Sequence, residues 1–113
     1  MNNQELYDWI LENLQSKLEL EEVGRRNPVE KWCYPLGDYS GRDFYRYIPI
    51  ENLEDDRIEE LNDSVWDDLI FENDLTDDEQ DDILDEFNDL FNQAFYALVD
   101  ENLSNLRQNT HHF

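Results

Sequence analysis

The sequence predicts an α+β fold that is mostly helical: an N-terminal helix, a short antiparallel hairpin, two short helices and a long C-terminal helix. Three observations carry this expectation. Apolar residues recur every three to four positions at both ends of the chain, which is the spacing of one helical face. Between them, residues 31–50 ("KWCYPLGDYSGRDFYRYIPI") are rich in aromatic and β-branched residues and broken by Gly and Pro. Further on, "TDDE" at Thr76–Glu79 carries the Thr-x-x-Glu signature that opens a helix.

The first element is "NNQELYDWILENLQSKLELEEVG". Leu6, Ile10, Leu14 and Leu18 share one face, with Tyr7 and Leu11 beside them. Gly24 follows Val23 as a C-terminal cap, and "RRNP" ends the helix. In the hairpin, "GDYSG" reads as a loop of several residues between two extended runs. Pro35 and Pro49 have no N–H to donate, so their strands are edges or stop there. Alternation puts Tyr45 and Tyr47 on one face and Phe44, Arg46 and Ile48 on the other. In "LEDDRIEELN", Ile58 and Leu61 give a core face. "SVWDDLIFEN" starts a second short helix, with Ser64 as cap and Asp67 at its third position. The long helix runs from about Asp77 to about Arg107. Its apolar stripe is Ile83, Phe87, Leu90, Phe91, Ala94, Phe95, Leu98 and Leu103. Residues 94–99 ("AFYALV") are apolar on all sides and call for cover on several of them.

The chain has 113 residues, enough for one domain, placed at 1–108 with a loose tail at 109–113. Fifteen aromatic residues set it apart from a disordered acidic tail. Cys33 is the only cysteine, which excludes an internal disulfide and fits a reducing cytoplasm. No apolar run reaches the ~18 residues of a membrane span, and "MNNQELYDWI" lacks the pattern of a signal peptide.

The formal charge of −22 is unevenly spread. Residues 1–50 hold nine acids against six bases, and residues 51–106 hold twenty-one acids against one base, Arg57. Self-repulsion on this scale opposes a compact state. It also argues against direct contact with nucleic acid or with an anionic membrane. Within "TDDEQDDILDEFND" there are six Asp, two Glu and neither Lys nor Arg. Residues four apart stack on a helix, so Asp77, Asp81, Asp85 and Asp89 form one row. Asp78, Asp82 and Glu86 form the row beside it. Twelve steps of about 1.5 Å span ~18 Å. Seven carboxylates then average one per ~3 Å, close to the ~3.4 Å charge spacing along a single nucleic-acid strand. Glu59, Asp63, Asp67 and Asp68 extend the acidic surface before this run.

Such a run also fits a plain solvated face. Against that, a helix built only for solubility intersperses Lys. Salt adaptation would spread acid over the whole surface, and the first half is near neutral. A calcium-binding EF-hand needs a Gly at its turn, and residues 42–113 contain none.

Other chemistry is sparse, and the chain is expected to be no enzyme, with no cofactor and no metal. Cys33 reads as a small buried thiol. His111 and His112 are adjacent and lack a third ligand. No phosphate-cradling Gly loop and no G-x-S-x-G or H-E-x-x-H motif occurs. Arg25, Arg26, Lys31, Arg42 and Arg46 make the hairpin the basic part of the chain. They either pair with the chain's own acids or form a second contact surface.

In size, charge and the carboxylate run "DDEQDDILDEFND", the chain resembles the acidic nucleic-acid mimics of phages and mobile elements, the anti-restriction and anti-CRISPR proteins. The resemblance implies an inhibitor that occupies the basic groove of a host restriction or CRISPR nuclease, in the host cytoplasm. The resemblance transfers no individual residues; the carboxylate rows themselves make Asp77, Asp78, Asp81, Asp82, Asp85, Glu86 and Asp89 the expected contacts, with Glu59, Asp63, Asp67 and Asp68 beside them. The alternative is an acidic adaptor, antitoxin or immunity protein that neutralises a basic partner. The apolar run also suggests a homodimer through Phe91, Phe95, Leu98 and Val99.

Overall fold

The computed structural model describes residues 2–24, 26–39 and 42–110, with side chains over 2–24, 26–36 and 47–104. The elements, in order, are α1 (Asn3–Lys17), β1 (Glu19–Val23), β2 (Val29–Tyr39), β3 (Arg42–Pro49), a 3-10 turn (Ile50–Asn52), α2 (Asp55–Asn73) and α3 (Asp77–Thr110). The expected α+β, mostly helical architecture is present. The chain divides into two compact units. One comprises Met1–Leu14 and Glu54–Phe95, the other Gln15–Leu53 and Tyr96–Phe113.

In the first unit three helices bury one stripe each. Leu6, Ile10 and Leu14 come from α1, and Leu61, Val65 and Leu69 from α2. From α3 come Phe87, Phe91, Ala94 and Phe95. The three Phe rings sit one turn apart, with centroids 6.3 Å and 6.2 Å apart, and Trp66 tilts onto Phe87 at 4.8 Å. Each fully buried Phe contributes about 1.5–3 kcal/mol of transfer free energy, which sets the helix positions. Polar contacts pin the edges. Trp9 Nε1 donates to Glu72 (3.0 Å), and Asn62 Nδ2 donates to Asn88 (3.3 Å).

Helix starts follow local chemistry. At α3, the Glu79 N–H donates to the Thr76 hydroxyl and the Thr76 N–H to the Glu79 carboxylate, both at 3.2 Å. This is the reciprocal box that the sequence predicts. At α1 the Glu5 N–H donates to the Asn2 side-chain oxygen at 2.8 Å, as in a cap, while the Asn2 side-chain amide, not its backbone N–H, donates to the Glu5 carboxylate at 2.8 Å.

Two expected boundaries change. The second and third helices are one continuous α2, with Ser64 in its interior and Asp67 in mid-helix. The stripe Leu61, Val65, Leu69 crosses Ser64 without a break, so burial outweighs the capping signal. The N-terminal helix ends at Lys17, and Glu19–Val23 is a strand. Leu18 would be followed on its helical face by Glu21 and Glu22, so the apolar stripe stops there. Pairing with β2 takes over.

The second unit holds the sheet, in the order β1-β2-β3, all antiparallel. Gly24 is therefore no helix cap. It turns the chain between β1 and β2 at φ +115°, where an added Cβ would lie 3.1 Å from the Asn27 carbonyl oxygen. Pro35 belongs to the central strand, yet β1 pairs only as far as Cys33, so no neighbour misses its N–H. Pro49 ends β3. Strand residues include Gly37, Asp38 and Tyr39, and the register shifts around Asp38. Ser40 and Gly41 of the expected loop lie outside the described residues, as do Arg25, His111, His112 and the side chains of Arg42, Phe44, Tyr45 and Arg46. Helix α3 continues through Asn109 and Thr110.

The buried residues of this unit include Leu18, Cys33, Ile50, Leu53 and Leu98, together with one polar side chain, Asn102, at 0 % exposure. Burial pushes the Cys33 thiol up to about 11, helped by the negative charges of Glu51 and Glu21. Burial and these charges favour the protonated thiol over the thiolate.

The run at 94–99 is not covered all round. Ala94, Phe95 and Leu98 are buried, but Tyr96 is 55 % exposed and Ala97 is exposed. Phe91, Phe95 and Leu98 are already covered within a single chain, and Val99 is half-buried. Phe91, Phe95 and Leu98 are thus buried without a second copy, while Tyr96 and Ala97 stay open to solvent.

Asp74 ends α2 in the left-handed region (φ 49°, ψ 51°), with its N–H on the Ile70 carbonyl. A glycine costs less in that conformation, and an anion at a helix C-terminus opposes the dipole. Asp74→Gly is expected to raise stability by about 0.5–1 kcal/mol in urea unfolding. An unchanged midpoint would mean that the Asp74 side chain compensates.

Candidate interface: an acidic band on two helices

All eleven carboxylates singled out in the sequence lie in the first unit, on α2 or α3. On α3, Asp77, Asp78, Asp81, Asp82, Asp85 and Asp89 are exposed and Glu86 is half-buried. On α2, Glu59, Asp63 and Asp67 are exposed. Asp68 is half-buried and already has an interaction. Among the described residues, the seven α3 carboxylates have no ion pair and no side-chain hydrogen bond. The helix that carries them is held from behind by Phe87 and Phe91, both at 0 % exposure. The charges are therefore fixed to a rigid element.

The two α3 rows differ in surroundings. Asp77, Asp81 and Asp85 project outward, next to Leu84, which is 39 % exposed. Asp82 and Glu86, with Glu79, border a cleft that also involves Leu6 of α1 and Leu69 of α2. The expected ridge is thus a band, wet on one flank and edged by an apolar cleft on the other.

One exposed residue was missed by the sequence reading. Phe71 on α2 is 86 % exposed, among Asp67, Asp68, Glu72 and Asp74. The signal was present, since position 71 falls off the Leu61, Val65, Leu69 stripe.

The basic residues are partly spoken for. Lys31 pairs with Glu51 at 2.5 Å, and both side chains are 12 % exposed. Desolvation raises the Glu51 pKa. The hydrogen bonds from Lys31 and Asn102 outweigh it and hold the carboxyl below its ordinary value. Arg26 is exposed. Among the described residues, no three His, Cys, Asp or Glu side chains could hold a metal ion, and no helix is long and apolar enough to cross a membrane. No family model matches the sequence, and no curated protein or solved structure matches it either.

Proposed function

We infer that this protein is a nucleic-acid decoy that inhibits a host nucleic-acid-binding defence enzyme, a restriction or CRISPR nuclease, by occupying its basic groove. One observation carries the reading: seven unpaired carboxylates on a single rigid helix, spaced along the axis at about the interval of phosphates on a strand. Asp77, Asp78, Asp81, Asp82, Asp85, Glu86 and Asp89 would meet the Lys and Arg residues that hold the phosphates. Glu59, Asp63, Asp67 and Asp68 would widen the contact. Adjacent like charges cost roughly 0.2–0.5 kcal/mol per pair, and binding to a basic groove relieves that cost.

A second reading, the acidic adaptor or antitoxin, is favoured by Phe71. A largely exposed aromatic ring inside an acidic surface suits a protein pocket better than a phosphate-binding groove.

The test is nuclease inhibition with competition. Restriction and RNA-guided nucleases are titrated with the protein, with and without excess non-cognate duplex DNA. Inhibition is expected to be relieved by the DNA. It is also expected to fade as ionic strength rises from about 0.1 M to about 1 M, where the screening length drops from ~10 Å to ~3 Å. Inhibition that neither DNA nor salt relieves would reject the decoy and leave the adaptor.

A further inference from the structure

Within the first unit, α1, α2 and α3 leave a cleft of about 350 Å³. Leu6, Leu69, Leu75 and Ile83 line it with apolar surface. Glu79, Asp82 and Glu86 stand along its α3 side, three and four residues apart and so on one stripe of the helix. Glu79 already receives the Thr76 N–H. Asp82 and Glu86 have no partner among the described residues, and no cation lines the cleft.

This combination restricts the occupant. An apolar group would leave Asp82, which is exposed, and Glu86, which is half-buried, paired with water alone, and a compact hydrated cation would leave the apolar wall wet. A side chain with a hydrocarbon stem and a cationic head satisfies both. Two carboxylates one helical turn apart favour a head with several donors in a fixed fork over a point charge. The cleft volume lies at the small end of ligand pockets, which suits one side chain.

We propose that this cleft receives an arginine side chain of the basic partner, its stem on Leu75 and Ile83 and its guanidinium on Asp82 and Glu86. The proposal rests on the partner being basic, as inferred above, and assigns it a specific anchor. The outer row, Asp81 and Asp85, supplies charge without a pocket.

The experiment follows the methyl resonances of Leu6, Leu69, Leu75 and Ile83, with Leu20, which lies outside the first unit, as reference. The probe is the blocked tripeptide acetyl-Ala-Arg-Ala-amide. Shifts are expected at the cleft methyls and not at Leu20. The citrulline peptide, equal in shape but uncharged, is expected to bind at least about tenfold more weakly. Asp82→Asn with Glu86→Gln is expected to weaken arginine binding by about the same factor. Asp81→Asn with Asp85→Asn removes the same charge and is expected to change it by less than about twofold.

Equal loss in both double variants would reduce the effect to net charge and overturn the proposal. Equal binding of the lysine peptide or of spermidine would overturn the arginine assignment, as would the absence of cleft shifts. A nuclease that DNA fails to protect would end the decoy reading and leave these shifts in place, so the two failures are distinguishable.

Discussion

Asn102→Ala is expected to lower the unfolding free energy by about 3 kcal/mol, the largest loss from any single polar side chain among the described residues. Asn102 is fully buried on α3 and makes three hydrogen bonds. Its Oδ1 accepts the Trp32 N–H at 2.7 Å, and its Nδ2 donates to the Trp32 carbonyl at 3.0 Å and to Glu51 at 2.9 Å. The reason lies in the sheet. β3 ends at Pro49, opposite Cys33, and the chain then turns at Ile50. Trp32 would next face Ile50. The Asn102 amide stands in for the missing strand residue and exchanges both hydrogen bonds with Trp32, as a ladder partner does.

Removing Asn102 leaves a half-buried peptide unit unpaired and takes a donor from Glu51, each costing about 1–3 kcal/mol. Asn102→Asp is expected to be worse at neutral pH, because it sets a second carboxylate against Glu51. That repulsion raises the pKa of the new carboxyl in the folded state. Its penalty is full above the folded value and is relieved as pH falls through it. The wild-type Glu51 contribution runs the other way. Its folded pKa is depressed, so its stabilisation is present above the ordinary carboxylate value and is lost as pH falls through the folded one. Urea midpoints of both variants at pH 7 and about pH 5 check this. An Asp variant that gains nothing on Ala as pH falls would refute the pairing with Glu51.

Asn102 also marks where the sequence could be read and where it could not. The apolar stripes of α1 and α3 and the Thr76–Glu79 box depend on neighbours within one helix, so spacing alone revealed them. On the α3 stripe, Asn102 lies one turn beyond Leu98, at a position where an apolar residue was expected. Leu103, the next apolar residue of the expected stripe, is only half-buried. A polar residue on a buried stripe was the available signal of a network. Strand β1 gave no such signal: "ELEEV" exposes Leu20 while Glu21 and Val23 are half-buried, so hydropathy does not alternate with burial. Its identity comes from β2, through a turn that Gly24 makes. The carboxylate run was plain in the sequence. Its division into an outward row and a cleft-side row was not, because the cleft depends on Leu6, seventy-seven positions before Ile83.

Neutralising part of the band gives the sharpest separation of function from stability. Asp81, Asp82, Asp85 and Glu86, replaced by Asn, Asn, Asn and Gln, keep their size and lose four charges. Exposed ion pairs are worth about 0.2–1 kcal/mol each, so losing four is expected to lower affinity for the inhibited nuclease by roughly fourfold to several hundredfold. Stability is expected to rise by about 1–2 kcal/mol, because the 77–81, 81–85, 85–89, 78–82 and 82–86 repulsions all disappear. The comparison variant changes Glu12, Glu19 and Glu22 to Gln and Asp100 to Asn. These residues are exposed, lie outside the band and carry the same total charge. If long-range attraction alone drives binding, both variants weaken it equally and mainly through the association rate. If the band is the contact, the first variant loses far more and dissociates faster, while the second keeps most of its affinity. Measured association and dissociation rates decide between them. Equal losses would reduce the carboxylate run on α3 to a solvated face that happens to be acidic.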